Sequence, residues 1–406
     1  MRLVVIGGGA AGFFGAVAAA ENGHDVTILE ANEAVLAKVR ISGGGRCNVT
    51  HSCFDPKELV LAYPRGGKAL RGPFSKFQPA DTVEWYASRG VATKTESDGR
   101  MFPTTDDSQT IVDCLTSAAA DAGVVVRTRA NVEGIKKVDE CFDIRLKSNE
   151  TLQADRLLLA TGGTRSGFEL ANHLGHAIVP PVPSLFTFNI RDTRINDLPG
   201  VSVETVECQL LTPTQTFKQT GPLLITHWGM SGPAVLKLSA WAARALHDTN
   251  YQATLRVNWL AKQRQDDVRQ QLLALKSEHG KKLVDSIAPF DLPKRLWKSL
   301  VDHVVGSPEK RWADLSKQAT QKLVSELTAG EYPITGKGVF KEEFVTCGGI
   351  ELSEVDFRTM ESRICSGLFF AGEILDIDGI TGGFNFQNAW TTGWIAGSSM
   401  AGNSVE

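Results

Sequence analysis

At 406 residues the chain is long enough for two or three packed units, because a single hydrophobic core seldom grows beyond about 300 residues. The composition, with 42% hydrophobic and 22% charged residues and 39 glycines, is typical of a soluble α/β protein, and no segment approaches the roughly 18 uncharged apolar residues that would span a bilayer. The formal net charge of −3 conceals a basic segment at 251–325, where 14 Lys/Arg stand against 8 Asp/Glu.

The chain opens with a predicted strand, helix and second strand. Residues 2–7 (RLVVIG) form the continuous apolar run of a buried strand, and 10–23 have small residues at helical spacing before a final glycine. DVTILE at 25–30 again has the character of a buried strand. Three such elements within about 30 residues predict a βαβ unit of a parallel sheet. Residues 35–71, rich in Gly, Arg, Lys and Ser, are predicted to form a long functional loop.

Two changes in sequence composition and pattern divide the rest of the chain. The proline cluster at 180–183 cannot continue a helix or a central strand, so we place a domain boundary there. Short strand-like runs follow, then charged and leucine-bearing helical segments, and the glycine-rich character of the first part returns near 345. We therefore predict a discontinuous first domain (1–185 plus 338–406), interrupted by a β-rich subdomain (186–260) and a helical subdomain (261–337).

A glycine pattern joins the first strand to the first helix. Gly7, Gly9 and Gly12 form GxGxxG, in which the first glycine permits a tight turn, the second lets backbone amides approach a pyrophosphate, and the third lets helix and strand pack. The helix beginning near Ala10 and Ala11 offers free N–H groups and the positive end of its dipole to an anion. This order of elements predicts a dinucleotide site.

A carboxylate completes the dinucleotide pattern. Glu30 closes the second strand, 18 residues after Gly12, where it can accept hydrogen bonds from both hydroxyls of an adenosine ribose. A 2′-phosphate would be repelled there, which disfavours an NADP-type adenosine. The pattern alone does not separate FAD from NAD.

Two later segments resemble further parts of a dinucleotide site. ATGG at 160–163 and GLFFAGE at 367–373 are the ends of apolar strands that finish on glycines able to approach a ligand closely. After them, glycines at 382 and 383 precede an apparent helix, whose N-terminus could stabilise negative charge on a ring.

The cysteines point to a reducing compartment. There are seven, an odd number, widely scattered and without a CxxC pair or zinc-like spacing, so we expect reduced thiols and no metal site. The opening apolar run is too short for a signal peptide. A cytoplasmic protein without a membrane partner is therefore expected.

With these segments in place, the chain resembles the BaiN-like flavoproteins, which include aminoacetone-oxidase-family, NAD(P)/FAD-dependent and ribosomal RNA dihydrouridine synthase-like members. The matching stretches extend over nearly the whole chain, and SGGGRCN and THxGxSGPAxL are the specific ones: GGGAAG, ISGGGRCNVT, DGRMFP, ATGG, LLITHWGMSGPAVL, CGGIEL and GLFFAGEILDIDGITGGFNFQNAW. The resemblance implies an α/β fold, with a Rossmann-like FAD-binding domain of the glutathione-reductase type interrupted by a β-barrel-like and a helical subdomain.

The resemblance also implies FAD contacts beyond the first turn. Five residues would lie against the flavin or its pyrophosphate: Gly44, Gly45, Arg46, Cys47 and Asn48. Others would surround the ribityl chain and ring: Gly372, Glu373, Gly383, Phe384 and Asn385. We add four residues at predicted strand ends: Val132, Ala160, Thr161 and Gly162. Phe384 and Asn388 replace the tyrosine and tryptophan of many members, so we do not carry over a substrate preference.

Members of this family have been linked to aminoacetone oxidation, bile-acid C=C reduction and dihydrouridine formation in ribosomal RNA. The last two reactions share hydride delivery from reduced flavin to an activated double bond, which we predict for this chain. Only one complete dinucleotide pattern is present, so NAD(P)H is expected as a transient reductant without its own Rossmann domain. RNA is a possible partner of the basic segment 251–325, although a solvated helical face is the commoner reason for such charge.

Three residues are candidates for catalysis. His227 could donate a proton to a reduced substrate, with a structural histidine as an equal alternative. Arg46 could pair with a pyrophosphate or a substrate anion, or be an ordinary surface arginine. Cys47, with Cys53, is reminiscent of the redox loop of disulfide reductases, although two reduced thiols are favoured in the cytosol.

Two other functions stay open at this point. The chain could be an amine or ketone oxidase that passes electrons to oxygen, or a flavin-binding protein with a redox-sensing or assembly role and no turnover. Substrate, choice of NADH or NADPH and oligomeric state are not determined by the sequence.

Overall fold

The computed structural model describes residues 1–261, 263–306, 309–338 and 345–402. The chain forms two compact units. The first comprises Met1–Val182 and Val345–Glu406, and the second comprises Pro183–Phe344. The predicted limits of the discontinuous domain were 185 and 338.

The strands and helices have the following bounds. Before the second unit the bounds are β1 (Arg2–Ile6), α1 (Ala10–Ala20), β2 (Asp25–Leu29), α2 (Ala37–Gly45), β3 (Thr50–His51), α3 (Pro56–Leu59), α4 (Gly67–Lys76), α5 (Pro79–Ala87), β4 (Thr93–Thr95), β5 (Arg100–Pro103), α6 (Ser108–Asp121), β6 (Val125–Arg127), β7 (Val132–Val138), β8 (Cys141–Leu146), β9 (Thr151–Ala154), β10 (Arg156–Leu159), α7 (Arg165–His173) and β11 (Ile178–Ser184). Next come β12 (Phe188–Ile190), β13 (Ser202–Leu211), β14 (Thr216–Thr226), β15 (Gly229–Ser231), α8 (Pro233–Trp241), α9 (Ala243–Asp248), β16 (Ala253–Asn258), α10 (Gln265–Glu278), α11 (Lys294–Val305), α12 (Lys317–Ala329) and β17 (Gly330–Lys337). The last elements are β18 (Val345–Ile350), β19 (Val355–Asp356), β20 (Glu361–Ser362), β21 (Leu368–Phe370) and α13 (Phe384–Met400), and short 3₁₀ helices occupy Val60–Ala62, Trp312–Asp314, Leu352–Glu354 and Gly372–Ile374.

The main sheet of the first unit has the strand order β19-β20-β21-β10-β1-β2-β6. Neighbours from β21 to β6 are parallel, and β1 pairs with β10 so that Val5 lies opposite Leu158, both fully buried. Continuous apolar runs are what a parallel strand covered on both faces requires. Because β21 follows the second unit in the chain and pairs with β10, the sheet is assembled from both parts of the first unit. The predicted Rossmann-like α/β class is confirmed.

Helices α1 and α13 pack closely on one another through glycines. A Cβ added at Gly397 would lie 2.1 Å from the backbone oxygen of Gly15, and one at Gly393 would lie 2.6 Å from that of Ala11. No side chain fits at these crossings. The close approach places the start of α13 beside the first turn of the chain.

The prediction of one long loop at 35–71 was wrong. This stretch contains α2, β3, α3 and the start of α4. The start of α3 is favoured by two local features that the sequence analysis did not use. The Asp55 side chain accepts from the N–H of Lys57, and Pro56 occupies the first helical position. In α2, Ser42, Gly43 and Gly44 are non-helical, so that element is interrupted rather than regular.

The second unit contains a closed barrel with the strand order β12-β15-β14-β13-β16-β17. Its last strand, β17, lies within the residues that we assigned to the helical subdomain and pairs with both β12 and β16. Tyr332 and Ile334 alternate with exposed neighbours and point into the core. A strand that follows the helices therefore closes the barrel. Its alternating pattern is short and comes directly after a helical segment, so we did not separate it from that segment.

Over the described residues, none of the helices is both long and apolar enough to cross a bilayer. In the same parts of the chain, no cluster of three or more His, Cys, Asp or Glu side chains has the arrangement needed to hold a metal ion.

Candidate functional site

The first glycine turn joins β1 to α1. A Cβ added at Gly7 (φ +112°) would lie 2.4 Å from the Ala160 oxygen, and one at Gly12 would lie 1.9 Å from the Gly7 oxygen. Both glycines are therefore required by packing. At Gly9, the N-cap of α1, an added Cβ would meet nothing within 4 Å. An open backbone at a helix N-terminus is a place where an anion can approach.

Glu30 follows β2 and is held by three protein donors. Its Oε2 accepts from the Gly8 N–H at 2.8 Å, and its Oε1 accepts from the N–H and side-chain amide of Asn32 at 2.8 and 2.7 Å. A carboxylate offers about four acceptor positions, so capacity is left for a ribose hydroxyl. The Ala130 N–H donates to the Glu30 backbone oxygen, which brings the chain that leads into Val132 alongside. The sequence analysis missed Asn32, although a side-chain amide two residues after a carboxylate is a recognisable turn signal.

Two further strand ends bring predicted residues together. A Cβ added at Gly162, after β10, would lie 3.8 Å from Oε2 of Glu373, and one at Gly372, after β21, would lie 2.9 Å from the Ala11 side chain. Thr161 packs against the first turn of α7. The carboxyl ends of β1, β10 and β21 therefore carry these residues at one edge of the sheet, the position at which α/β sheets bind ligands.

The Glu373 carboxylate is oriented by two groups that were not predicted. Its Oε2 accepts from Lys38 Nζ at 2.7 Å, and its Oε1 accepts from the Thr346 N–H at 2.8 Å. Lys38 lies 335 positions away in the chain, so no sequence spacing could have identified this pair.

The start of α13 is held tightly by its surroundings. A Cβ added at Gly383 (φ +91°) would lie 2.5 Å from the backbone of Thr50. The Asn385 side chain accepts from the Gly379 N–H at 2.8 Å and donates to the Gly379 oxygen at 2.9 Å. These bonds close the turn that precedes the helix and fix the direction of its first N–H groups.

Two aromatic residues outside the prediction pack on Phe384. The buried Tyr63 hydroxyl donates to the Phe384 oxygen at 2.6 Å, and the His51 ring stacks on the Phe384 ring with centroids 4.7 Å apart. Both come from the stretch that we took for an irregular loop.

Asn48 ties the second glycine loop, residues 43–48, to the start of α13. With its amide oriented to suit its neighbours, it accepts from the Gly383 N–H at 2.9 Å and donates to the backbone oxygens of Thr50 and Met101 at 3.0 and 3.2 Å. Gly44 and Gly45 have φ values of +69° and +85°, and an added Cβ would meet nothing within 4 Å at either. Backbone in this loop therefore faces open space, as it does at Gly9.

Arg46 pairs with protein carboxylates. Its Nη1 lies 2.7 Å from Oε1 of Glu96 and 3.5 Å from Oδ1 of Asp106, and its guanidinium stacks 4.0 Å from the centroid of the Phe102 ring. The hydrogen bond with Glu96 raises the pKa of Arg46. These contacts favour a role in holding the loop over a direct contact with a pyrophosphate or substrate anion.

Cys47 and Cys53 are separate thiols, and no disulfide joins any of the seven cysteines. Cys47 is fully buried, and burial raises its pKa to about 12, against a smaller opposing contribution from the hydrogen bond with Ser42. Burial also raises the pKa of Cys53. A nucleophilic or redox-active cysteine needs the opposite shift.

His227 belongs to the second unit, in the turn between β14 and β15. Its side chain is exposed, and its ring centroid lies 6.3 Å from that of Trp228. His227 and the glycine turns belong to different units, and its catalytic role stays a prediction.

Comparison with known proteins adds a family to this geometry. The HI0933-like protein Rossmann domain family matches residues 1–399. A 3-dehydro-bile acid delta(4,6)-reductase from Clostridium scindens is 29% identical over 98% of this chain and 99% of the relative. A ribosomal RNA dihydrouridine synthase from Escherichia coli is also 29% identical, over 98% of this chain and 97% of the relative.

A solved structure supports the same fold. The 3-ketosteroid delta1-dehydrogenase from Sterolibacterium denitrificans superposes with a TM-score of 0.53 at 12% identity, over 98% of this chain and 99% of that one. The family match covers nearly the whole chain and agrees with the resemblance found from the motifs. The chain therefore belongs to the HI0933-like family of Rossmann-domain flavoprotein oxidoreductases, which includes the BaiN-like proteins.

Proposed function

We propose that this chain is an FAD-dependent reductase that saturates an activated C=C bond, with a uracil of ribosomal RNA as the candidate substrate. One observation carries the FAD site of this proposal. The strand ends at Gly7, Gly162 and Gly372 meet at one edge of the sheet, with open backbone at Gly9 beside them. An extended dinucleotide needs such a continuous cradle.

The residues present fit FAD along its length. The open N-terminus of α1 would hold the pyrophosphate, and Glu30 would bond to the adenosine ribose. Glu373, oriented by Lys38, would face the ribityl chain. The glycine-bounded start of α13 would direct its N–H groups at the ring.

The chemistry balances with one proton and one hydride. Bound FAD would supply hydride-transfer chemistry, with NAD(P)H as the proposed source of the hydride and one carbon of the double bond as its acceptor. The other carbon must receive a proton from a general acid. The candidate from the sequence, His227, belongs to the second unit. The bile-acid delta(4,6)-reductase and the dihydrouridine synthase are, by their names, enzymes whose substrates lose a C=C bond. This similarity supports the same class of reaction here.

The test measures the two half-reactions separately. Purified protein should carry FAD, should be bleached by NADH or NADPH without oxygen, and should recover its colour on addition of uridine-containing ribosomal RNA that lacks dihydrouridine. A bile-acid enone serves as the competing acceptor. Hydrogen peroxide formed at a catalytic rate with an amine would replace the proposal by the oxidase function, and protein that stays colourless with added FAD would remove both.

A further inference from the structure

A basic surface lies in the first unit, outside the segment that the sequence analysis singled out. Residues 56–76 carry five Lys/Arg and a single carboxylate, Glu58. On α4, Lys68 and Arg71 are exposed on one face, together with Ser75 at helical spacing. Lys57 is exposed on the neighbouring α3. We term Lys57, Lys68 and Arg71 the α4 basic face.

The opposite side of α4 is apolar and buried, so the orientation of the helix is determined by packing. Leu70, Pro73 and Phe74 are its buried residues. Phe74 packs against Tyr63 with ring centroids 5.5 Å apart. The cations are therefore directed away from the core by the same contacts that anchor the helix.

Within the described part of the chain, the three cations differ from their neighbours in having no acidic partner. Lys38 pairs with Glu373, Arg46 with Glu96 and Arg65 with the buried Asp378. Among the residues that the structure describes, no ion pair joins Lys57, Lys68 or Arg71 to a carboxylate. Exposed cations without partners attract a polyanion, and that attraction weakens with salt.

The α4 basic face is attached to the start of α13. Two hydrogen bonds join the segment that leads into α4 to the region before and at the start of α13. The Tyr63 hydroxyl donates to the Phe384 oxygen, and the Ile380 N–H donates to the Ala62 oxygen at 2.9 Å. A Cβ added at Gly66, the N-cap of α4, would lie 2.4 Å from the Ile377 side chain. The segment that carries the basic face is therefore packed against the start of α13, the proposed ring end of FAD.

The basic segment 251–325 is less free than its composition suggests. Arg256 pairs with Glu331, and Arg269 pairs with Asp266. Arg295 and Lys276 donate to backbone oxygens of Asp197 and Leu315. Four of its 14 Lys/Arg side chains are therefore engaged within the second unit.

We propose that the α4 basic face binds the phosphodiester backbone of an RNA substrate next to the base that reacts. The inference rests on the proposed function. A base that reacts must leave its stack, and the phosphates beside it need neutralisation where the strand is held. Lys68 and Arg71 are separated by about 4.5 Å along the helix axis, so their flexible side chains can reach neighbouring phosphates.

The test uses the full-length, FAD-loaded protein and a fluorescein-labelled oligouridylate. In Lys68→Gln/Arg71→Gln, the slope of log affinity against log salt concentration should become shallower by about 1.4, because each phosphate contact on a single strand contributes about 0.7. Lys136→Gln/Lys147→Gln removes the same charge from exposed positions of β7 and the turn after β8 and should leave the slope unchanged. The charge-preserving pair Lys68→Arg/Arg71→Lys should retain the wild-type slope.

Several results would overturn the proposal. These are absence of RNA binding by the wild type, an unchanged slope in Lys68→Gln/Arg71→Gln, or an equal change in the control pair. Binding to phosphatidylglycerol vesicles that depends on Lys68 and Arg71, with RNA binding unaffected, would assign the face to a membrane instead. Flavin absorbance of each variant is measured in parallel, so a protein that holds no FAD refutes the proposed function while the salt slope still decides the role of this face.

Discussion

The first glycine turn and the second glycine loop both offer open backbone, but different forces hold them in place. In the first turn, Gly12 packs directly on the Gly7 oxygen, five residues earlier. In the second loop, Arg46 is fastened by Glu96, which lies 50 residues later, and by stacking on Phe102. The first turn depends on backbone contacts that leave no room for a side chain at Gly7 or Gly12. The second loop depends on the ion pair and ring stacking of one side chain.

The difference also shows in the backbone. In the second loop Gly43, Gly44, Gly45 and the non-glycine Cys47 are all left-handed. A left-handed cysteine is unfavourable by itself and persists where its surroundings determine it. Substitutions at Gly7 and Gly12 should therefore act directly through packing, whereas substitution of Arg46 should act through its partners.

The largest effect is expected where the first turn is closed by packing. Gly12→Ala would place a methyl group 1.9 Å from a backbone oxygen and should destabilise the protein by about 3 kcal/mol. Gly9→Ala is the matched control, because its methyl group meets nothing within 4 Å. It should leave urea unfolding nearly unchanged while weakening FAD binding. Equal destabilisation by both variants would break the distinction between the packed and the open glycines.

Next comes the carboxylate that follows the first turn. Glu30→Ala should cost about 1.5 to 3 kcal/mol of FAD binding free energy, because a charge-assisted hydrogen bond to the ribose is removed. FAD titration of the apoprotein measures this change. Asn32→Ala loosens the same turn but keeps the carboxylate, and should cost less. A Glu30→Ala protein that retains its full flavin would show that the ribose site lies elsewhere.

A pH experiment tests the buried thiol of the second loop. Cys47 ionises at about 12 in the folded protein but at about 8.5 when unfolded, so the unfolded chain loses its proton first as pH rises. Its contribution to the free energy of unfolding is constant below about pH 8 and should fall by about 2 kcal/mol between pH 8 and pH 10.

The matched variant for this experiment is Cys47→Ala, which should reduce that alkaline loss when unfolding is followed in urea at each pH. Its turnover should be retained, because a protonated, buried thiol is a poor nucleophile. A large fall in turnover with normal FAD content would show that Cys47 has a catalytic role.

The smallest effect is expected at Arg46. If it holds the loop through Glu96, then Arg46→Ala, Glu96→Ala and the double variant should weaken FAD binding to a similar, small extent, because both partners are partly exposed. Fluorescence titration of FAD compares the three. Severe loss of FAD in Arg46→Ala alone would show a direct contact with the cofactor.

The candidate site was predictable where its residues are close in sequence. Gly7, Gly12 and Glu30 belong to one βαβ unit, and their order expresses the geometry of that unit. The partners that orient the site were not predictable. Lys38 reaches Glu373 across 335 positions and Tyr63 reaches Phe384 across 321, and no pattern in one sequence records such distances.

The barrel shows the same limit at the level of the fold. The alternation of strand-like and helical runs predicted an insertion. The strand β17 nevertheless follows the helices and returns to pair with β12 and β16. Barrel closure is a pairing between distant segments, so it is determined only when the chain has folded.

The sequence by itself determined the order strand, glycine turn, helix, strand and acid, because backbone sterics and helix geometry act between near neighbours. Only the tertiary structure decided which cations would be neutralised and which would stay free. Arg46 and Arg65 found carboxylates, while Lys68 and Arg71 remained on an exposed face. The physical reason is that charge pairing depends on distance through space, which the packing of Leu70 and Phe74 sets and chain order does not.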